Sequence, residues 1–434
     1  MAASSIHPTS LGRLGSGVQP QAERLLVGAL VCLLGARLYV AYEFSVAVIA
    51  ALVLLPVWWR HVREYQWARP LLIGALASVG SGFWLTEFSA ADHAVLSRQM
   101  VLNSAMTLSV VLGVGLILWA RRLLPDLVVA ALYGAGMVLS IRPNDGFLLN
   151  PWKFGFDKPV SLLVLALACR VGGRFVPALA LAGLAAVSAV SDGRSRMGIL
   201  LVVLVATLLQ TLPAPRSAPA ATVRVLSALG AVGYAAYQLS EAVLLEGVLG
   251  EAAQQRSEEQ IAQSGSLIVG GRPEMAATWS LMNHRFEGFG FGVVASRSDI
   301  NAAKMGMLGI NYDPDNGYVN NYMFGTGVEL HSGVGDLWAH MGVPGLLLAA
   351  GILFFIVARL GRLVATRKAN AVLLMLGVSA VWDLAFSPLK TSIPYLTIAL
   401  GLLLAVRSPE IGPPVAEQQV KDRSPASLQR MSDL

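Results

Sequence analysis

Long uncharged apolar runs constrain this chain more than any other feature. They recur between Leu25 and Val406, and several approach the roughly 20 helical residues needed to cross a bilayer core. Blocks begin near Leu25, Phe44, Pro70, Met100, Leu124, Phe154, Phe175, Met197, Val223, Val334, Ala371 and Ile393. Across 434 residues, 55% are hydrophobic and 13% charged, too little polar surface for a soluble domain of this length. Backbone polar groups in lipid must be satisfied within the segment, so these blocks are expected as helices. The expected fold is an all-α polytopic membrane protein with about 12 transmembrane helices. The block after residue 24 lacks a small-residue cleavage pattern and reads as a membrane helix, not a signal peptide. Cys32 and Cys169 lie in apolar blocks and read as buried hydrophobes.

Arginine placement orients the helices. With the N-terminus in the cytoplasm, WWRHVREYQWARP, RRLLP, CRVGGR, PRSAPAATVR and ARLGRLVATRKAN become short cytoplasmic loops, and most of the 32 Lys and Arg face inward. Both termini are then cytoplasmic. The expected division is an N-terminal tail over 1–24, membrane helices over 25–245, one large extracytoplasmic loop with short helices over 246–333, membrane helices over 334–406, and a disordered tail over 407–434.

The cations left outside are the informative ones. They include Arg142, Lys153 and Lys158, Arg194 and Arg196 in SDGRSR, Arg272, Arg285, Arg297 and Lys304 in the long loop, and Lys390. Snorkelling to lipid phosphates explains any single one of them. Two arginines in the short SDGRSR loop favour an anion site, because guanidinium binds phosphate as a fork and stays charged when desolvated.

Within the long loop, EAAQQRSEEQIAQ reads as a surface helix. RPEMAATWSLMNH reads as an amphipathic helix whose stripe of Met275, Trp279 and Met282 is expected to pack. GFGFG (Gly288 to Gly292) permits a tight turn and close approach of backbone to a ligand. It does not fit GxGxxG, and no Walker A sequence occurs, so no nucleotide is expected. NYDPDNGYVNNY (Asn311 to Tyr322) offers side chains that stack on sugars or make ordinary turns. Its DPD is a weak cation signal. His284, His331 and His340 lack metal-ligand spacing, and no metal, cofactor or nucleic-acid partner is expected.

His331 lies in ELHSGVGDLWAHMGVPG, where a polar loop enters an apolar helix. It reads equally as a polar residue at the membrane interface or as a chemical centre. Three stretches then stand in chain order: SDGRSRMGILLVVL, GGRPEMAATWSLMNHRFEGFGFG and HSGVGDLWAHMGVPG. Together, over roughly residues 150–390, they resemble the O-antigen ligase and O-antigen polymerase superfamily, integral membrane glycosyltransferases that use polyprenyl-diphosphate-linked glycans.

The resemblance implies an inverting-type transfer from an undecaprenyl diphosphate donor to an acceptor hydroxyl, at the outer face of a bacterial cytoplasmic membrane. The acceptor would be a glycan, a lipid or a protein. The resemblance places a catalytic base on His331 and a donor-diphosphate clamp on Arg196 and Arg272, with Arg194 as the neighbour of Arg196. Gly335, Asp336 and Trp338 depart from the family pattern and point to a subfamily with its own acceptor. Asp336, Tyr318, Asp383 and Lys390 are candidates for orienting the imidazole or binding acceptor.

The chemistry is coherent without ATP or metal. A departing diphosphate gathers negative charge, which arginines stabilise. Imidazole is the side chain that titrates near neutrality and can take a hydroxyl proton. Two other classes remain open. A secondary transporter would carry ionisable residues near the bilayer midplane. A cation-dependent polyprenyl-phosphate glycosyltransferase would use an acidic first outer loop, here only AYEF with Glu43.

Overall fold

The computed structural model describes residues 15–407 except 43, 174, 214–221, 229, 232, 235–237, 239–244, 246–250, 266–270 and 326. Glu43, the 407–434 tail beyond its first residue and about half of the Val223 block therefore lie outside the described residues. The fold is a helical bundle capped at one end by a smaller helical unit.

The first helix, α1 (Gly15–Ala36), starts ten residues before the expected Leu25. A short hairpin of β1 (Tyr39–Ala41) and β2 (Phe44–Ser45) follows. The second apolar block forms two helices, α2 (Val46–Val53) and α3 (Leu55–Val62), because Pro56 lacks the N–H that would carry one helix through. The Trp58 indole donates to the Ala51 carbonyl at 2.7 Å across that break. Next come α4 (Ala68–Ser89), α5 (Ser97–Leu123), α6 (Asp126–Leu139), α7 (Asp145–Leu149), α8 (Asp157–Val171), α9 (Val176–Val190) and α10 (Arg194–Leu209). Helix α11 (Glu251–Ser264) follows, and the capping unit carries α12 (Glu274–His284) and α13 (Arg297–Leu308). The chain returns to the bundle through α14 (Gly333–Ala365), α15 (Ala371–Phe386) and α16 (Leu389–Leu403).

Among the described residues, α4, α5 and α14 are long and apolar enough to cross a membrane, which marks a membrane protein. Four more helices, α6, α9, α15 and α16, are apolar but shorter than 18 residues. The sequence offered twelve blocks; caps and breakers consume their ends. Asn370 caps α15 and Ser387–Pro388 stops it, so that apolar block yields only 16 helical residues. The central helix is α5, packed by α1, α2, α3, α4 and α16. Close approach of α1 to α6 depends on two glycines. A Cβ at Gly35 would lie 2.2 Å from the Tyr133 carbonyl, and one at Gly136 would lie 1.9 Å from that of Cys32.

The loops divide between the two ends. At one end Arg121 pairs with Asp126 at 2.9 Å, Arg122 pairs with Glu64, and Tyr65 bridges to Val406. At the other end sits the capping unit, with its own core of Leu281, Phe289, Met307, Val319, Met323 and Trp338. The GFGFG segment fastens this unit to the bundle. Gly288, Gly290 and Gly292 all have positive φ, and a Cβ at Gly290 would lie 2.5 Å from the Thr86 backbone nitrogen. Phe289 and Gly290 donate to the Ala339 carbonyl, while Phe291 exchanges hydrogen bonds with Thr86. The close approach of these glycines is therefore to helix α14 for Gly288, to α4 for Gly290 and to the start of α5 for Gly292, and their backbone contacts there are with protein.

A second fastening is ionic. His93 presents Nδ1 to Asp92 at 2.6 Å and Nε2 to Asp299 at 2.8 Å, while Arg285 reaches Asp92 at 3.1 Å. Burial opposes ionisation of Asp299, but hydrogen bonds from Ser296 and His93 outweigh it and hold its carboxyl below the usual range. A depressed carboxyl stabilises the fold above its unfolded value of 3.8 and loses that contribution as pH falls through the folded value. Acidification below about pH 4 is thus expected to loosen the capping unit. Intrinsic tryptophan fluorescence should show a transition in the wild type that Asp299→Asn diminishes; identical profiles would refute this role for Asp299.

Candidate functional site

His331 lies in the loop that enters α14, with φ of 53°, a left-handed conformation uncommon outside glycine. Ser332 caps α14 by accepting from the Gly335 N–H at 3.3 Å. Asp336 is fully buried, and its two carboxylate oxygens accept the N–H groups of Leu330 at 2.6 Å and Leu389 at 2.8 Å. It therefore binds neither the imidazole nor an acceptor. It braces the residue before His331 against the start of α16, and acts on His331 through the backbone.

The imidazole Nδ1 lies 3.3 Å from the Glu329 carbonyl. A carbonyl only accepts, so this contact uses a proton on Nδ1, and in the neutral ring with that tautomer Nε2 is the acceptor nitrogen. No described protein group bonds Nε2. The Tyr318 ring packs on the imidazole with centroids 5.9 Å apart, and Tyr312 and Tyr322 flank Tyr318. Tyr318 sits on a π-helical turn, Tyr318–Met323, and donates its hydroxyl to Glu274 at 3.2 Å. Burial and then the Glu274 carboxylate push the Tyr318 phenol up, so it stays a donor. Glu274 is buried at the start of α12 and also meets Arg272 Nη1 at 3.4 Å. Arg272, Glu274, Tyr318 and His331 thus form one continuous wall, three of them named by the sequence.

Arg196 lies elsewhere. It is buried in the first turn of α10, with Nε 2.7 Å from Asp157 at the start of α8. Its other nitrogens donate to Ser379, 2.9 Å away, and to the Tyr395 hydroxyl, 3.3 Å away. Next to Asp157, Lys158 reaches Asp383 at 2.8 Å, and Ser387 donates to the same carboxylate at 3.0 Å. Two opposite-charge pairs therefore flank Tyr395. The join between this cluster and the His331 wall is Ser332, whose hydroxyl donates to the carbonyl of Leu384 at 3.2 Å, one residue after Asp383.

Arg194 meets Asp192 at 3.2 Å, and Lys153 meets the same carboxylate at 3.2 Å. Burial works against that carboxylate, but the two cations hold it below its ordinary range. Lys390 is exposed on the first turn of α16, beside the Leu389 N–H held by Asp336. Arg272, Lys158, Arg194 and Lys390 thus keep part of their side chains open to solvent, whereas the charge of Arg196 is matched internally.

Two other expectations change. Of the expected stripe, Met282 packs against the core of the capping unit, but Met275 and Trp279 face outward, at 46% and 68% exposure, while α12 buries Glu274, Ala277, Thr278 and Leu281. The helix points its carboxylate inward because Arg272 and Tyr318 satisfy it there. In DPD, Asp313 accepts from the Asp315 N–H in a turn, and Asp315 pairs with Lys304 at 2.6 Å. Sequence reasoning missed Glu274 and Asp157. Asp157 carried a signal, as a carboxylate opening an apolar block next to a lysine. Glu274 carried only its place two residues after Arg272. No family model, curated protein or solved structure matches this chain.

Proposed function

We propose that this chain is a membrane glycosyltransferase of the O-antigen ligase or polymerase type. It moves a glycan from a polyprenyl diphosphate to an acceptor hydroxyl at the outer face of a bacterial cytoplasmic membrane. The observation that carries the reading is the open Nε2 of His331 on a wall that also holds the half-exposed guanidinium of Arg272. In this reading Nε2 takes the proton of the acceptor hydroxyl. The acceptor oxygen attacks the anomeric carbon from the face opposite the diphosphate, the bond from that carbon to the phosphate oxygen breaks, and the configuration inverts.

Arg272, with Lys158 and Arg194, stabilises the charge that builds on the leaving diphosphate. Arg196 contributes from within: it fixes Asp157 and so the turn that presents Lys158. Tyr318 and the exposed Tyr322 offer faces for sugar stacking. No ATP enters, because the donor bond is already activated.

The test is incubation of purified protein with a polyprenyl-diphosphate glycan and candidate acceptors in the presence of chelator. One addition marks a ligase and a ladder marks a polymerase. Arg272→Ala is expected to cut turnover by roughly 10²-fold. No transfer to glycan, lipid or protein acceptors, or wild-type turnover in Arg272→Ala, would overturn this reading. A second reading, secondary transport, draws on the buried pair Asp157–Arg196 and the half-buried pair Lys158–Asp383 beside it. Ion-coupled uptake into vesicles, lost in Asp157→Asn, would favour it.

A further inference from the structure

A second feature lies far from His331, along the face shared by α4 and α14. The two helices touch where Ser78 donates to the Pro344 carbonyl and Ser81 to that of Met341, both at 3.1 Å. Beyond that contact they part and leave a cavity of about 690 Å³. Its walls are apolar, with Leu71, Leu347, Leu348, Phe354 and Phe355. The wall positions Gly74 and Gly351 put no side chain into this space, and a Cβ at either would meet nothing within 4 Å. From Pro344 to Arg362 the groove follows α14 for about 27 Å, enough for an extended acyl chain.

The far end of the groove is cationic. Arg359 and Arg362 stand one turn apart on the same face of α14 and line the cavity. Arg359 uses Nε on the Leu403 carbonyl at 3.0 Å, which leaves both terminal nitrogens. Two neighbouring arginines at this end are neutralised, Arg121 by Asp126 and Arg122 by Glu64. Arg359 and Arg362 have no carboxylate partner among the described residues. Trp67, also lining this end, is 68% exposed. An outward tryptophan beside arginines is the signature of the headgroup level of a bilayer.

We infer that the groove between α4 and α14 is a binding site for an anionic glycerophospholipid, with an acyl chain along the apolar wall and the phosphate on Arg359 and Arg362. Charge selects the occupant: a zwitterionic lipid brings its own cation to two unpaired arginines, whereas an anionic lipid neutralises them. The arginines sit at the end of α14 opposite His331, so the site is separate from the proposed donor site and does not depend on it.

The test uses the full chain in nanodiscs of equal phosphatidylglycerol and phosphatidylcholine, followed by native mass spectrometry of the lipids it retains. Retention of phosphatidylglycerol over phosphatidylcholine by about tenfold is expected. Arg362→Gln, at an exposed position that caps nothing, should bring the two lipids towards parity. Gly351→Leu should fill the groove into open space and abolish retention of either lipid without lowering the thermal midpoint. Equal retention of the two lipids by the wild type would overturn the proposal, as would retention unchanged in both variants. Displacement of phosphatidylglycerol by a polyprenyl diphosphate would assign the groove to that lipid and overturn it too.

Discussion

His331→Ala is expected to lower glycan transfer by about 10²–10⁴-fold, the range that positioned general bases supply. The loss should fall on turnover and leave expression and membrane insertion intact. The loop around His331 is held by groups other than its imidazole: Asp336 grips the Leu330 N–H, and Ser332 both caps α14 and bonds the Leu384 carbonyl. One complication is backbone strain. At φ of 53° alanine is disfavoured by roughly 1–2 kcal/mol. Asparagine visits that region more readily, so His331→Asn separates the two effects. Both variants should lose transfer, while the asparagine variant keeps the wild-type thermal midpoint. Wild-type turnover in His331→Asn would remove the base from the mechanism.

Gly290→Ala is expected to destabilise the protein by on the order of 3 kcal/mol, combining the left-handed backbone cost with an overpacked contact. The new methyl would sit 2.5 Å from the Thr86 backbone nitrogen and 2.8 Å from its Oγ1, the atom that bonds Phe291. A helix backbone cannot yield as a flexible side chain would, so the capping unit should be prised from α4. Transfer would fall with it, since that unit carries Arg272, Glu274 and Tyr318. The control is Gly183→Ala in α9, where a Cβ meets nothing within 4 Å and alanine is the better helix former. Thermal unfolding of the two variants should move in opposite directions. A Gly290→Ala protein as stable as the wild type would mean that the GFGFG contacts do not hold the unit in place.

What the sequence made legible follows from the range of the interactions involved. Apolar runs and their arginine flanks are local signals, and they located the helices well enough to mark a membrane protein. Tyr318 and His331 were both named in advance, and the structure packs their rings together. Helix α13 was overlooked although Ser296 and Asp299 form a capping box that is visible as S-x-x-D. The role of GFGFG was not legible, because its partners Thr86 and Ala339 lie about 200 residues upstream and about 50 downstream. Arg196 looked like an outward cation because its partner Asp157 opens a different helix. The outward face of α12 was misassigned because an amphipathic pattern ranks residues by apolarity, and buried Glu274 follows its partners instead.

Helix α14 is not one rod. At Gly342 the backbone takes φ of 66° and ψ of −150°, and a Cβ there would meet the Glu287 carbonyl at 2.5 Å. The turns before this break face both ways, with Trp338 and Ala339 completing the core of the capping unit while Leu337 and Met341 pack in the bundle, and beyond it Ala349, Ile352 and Ile356 belong to the bundle core. The seam between the two cores therefore runs through the middle of a helix. For anyone recombining such chains, the transplantable module is not the loop from residue 246 to residue 333. A graft cut at the helix start would arrive with Trp338 torn from its socket and Phe289 facing a foreign wall, whereas one carried through Met341 brings its own keystone.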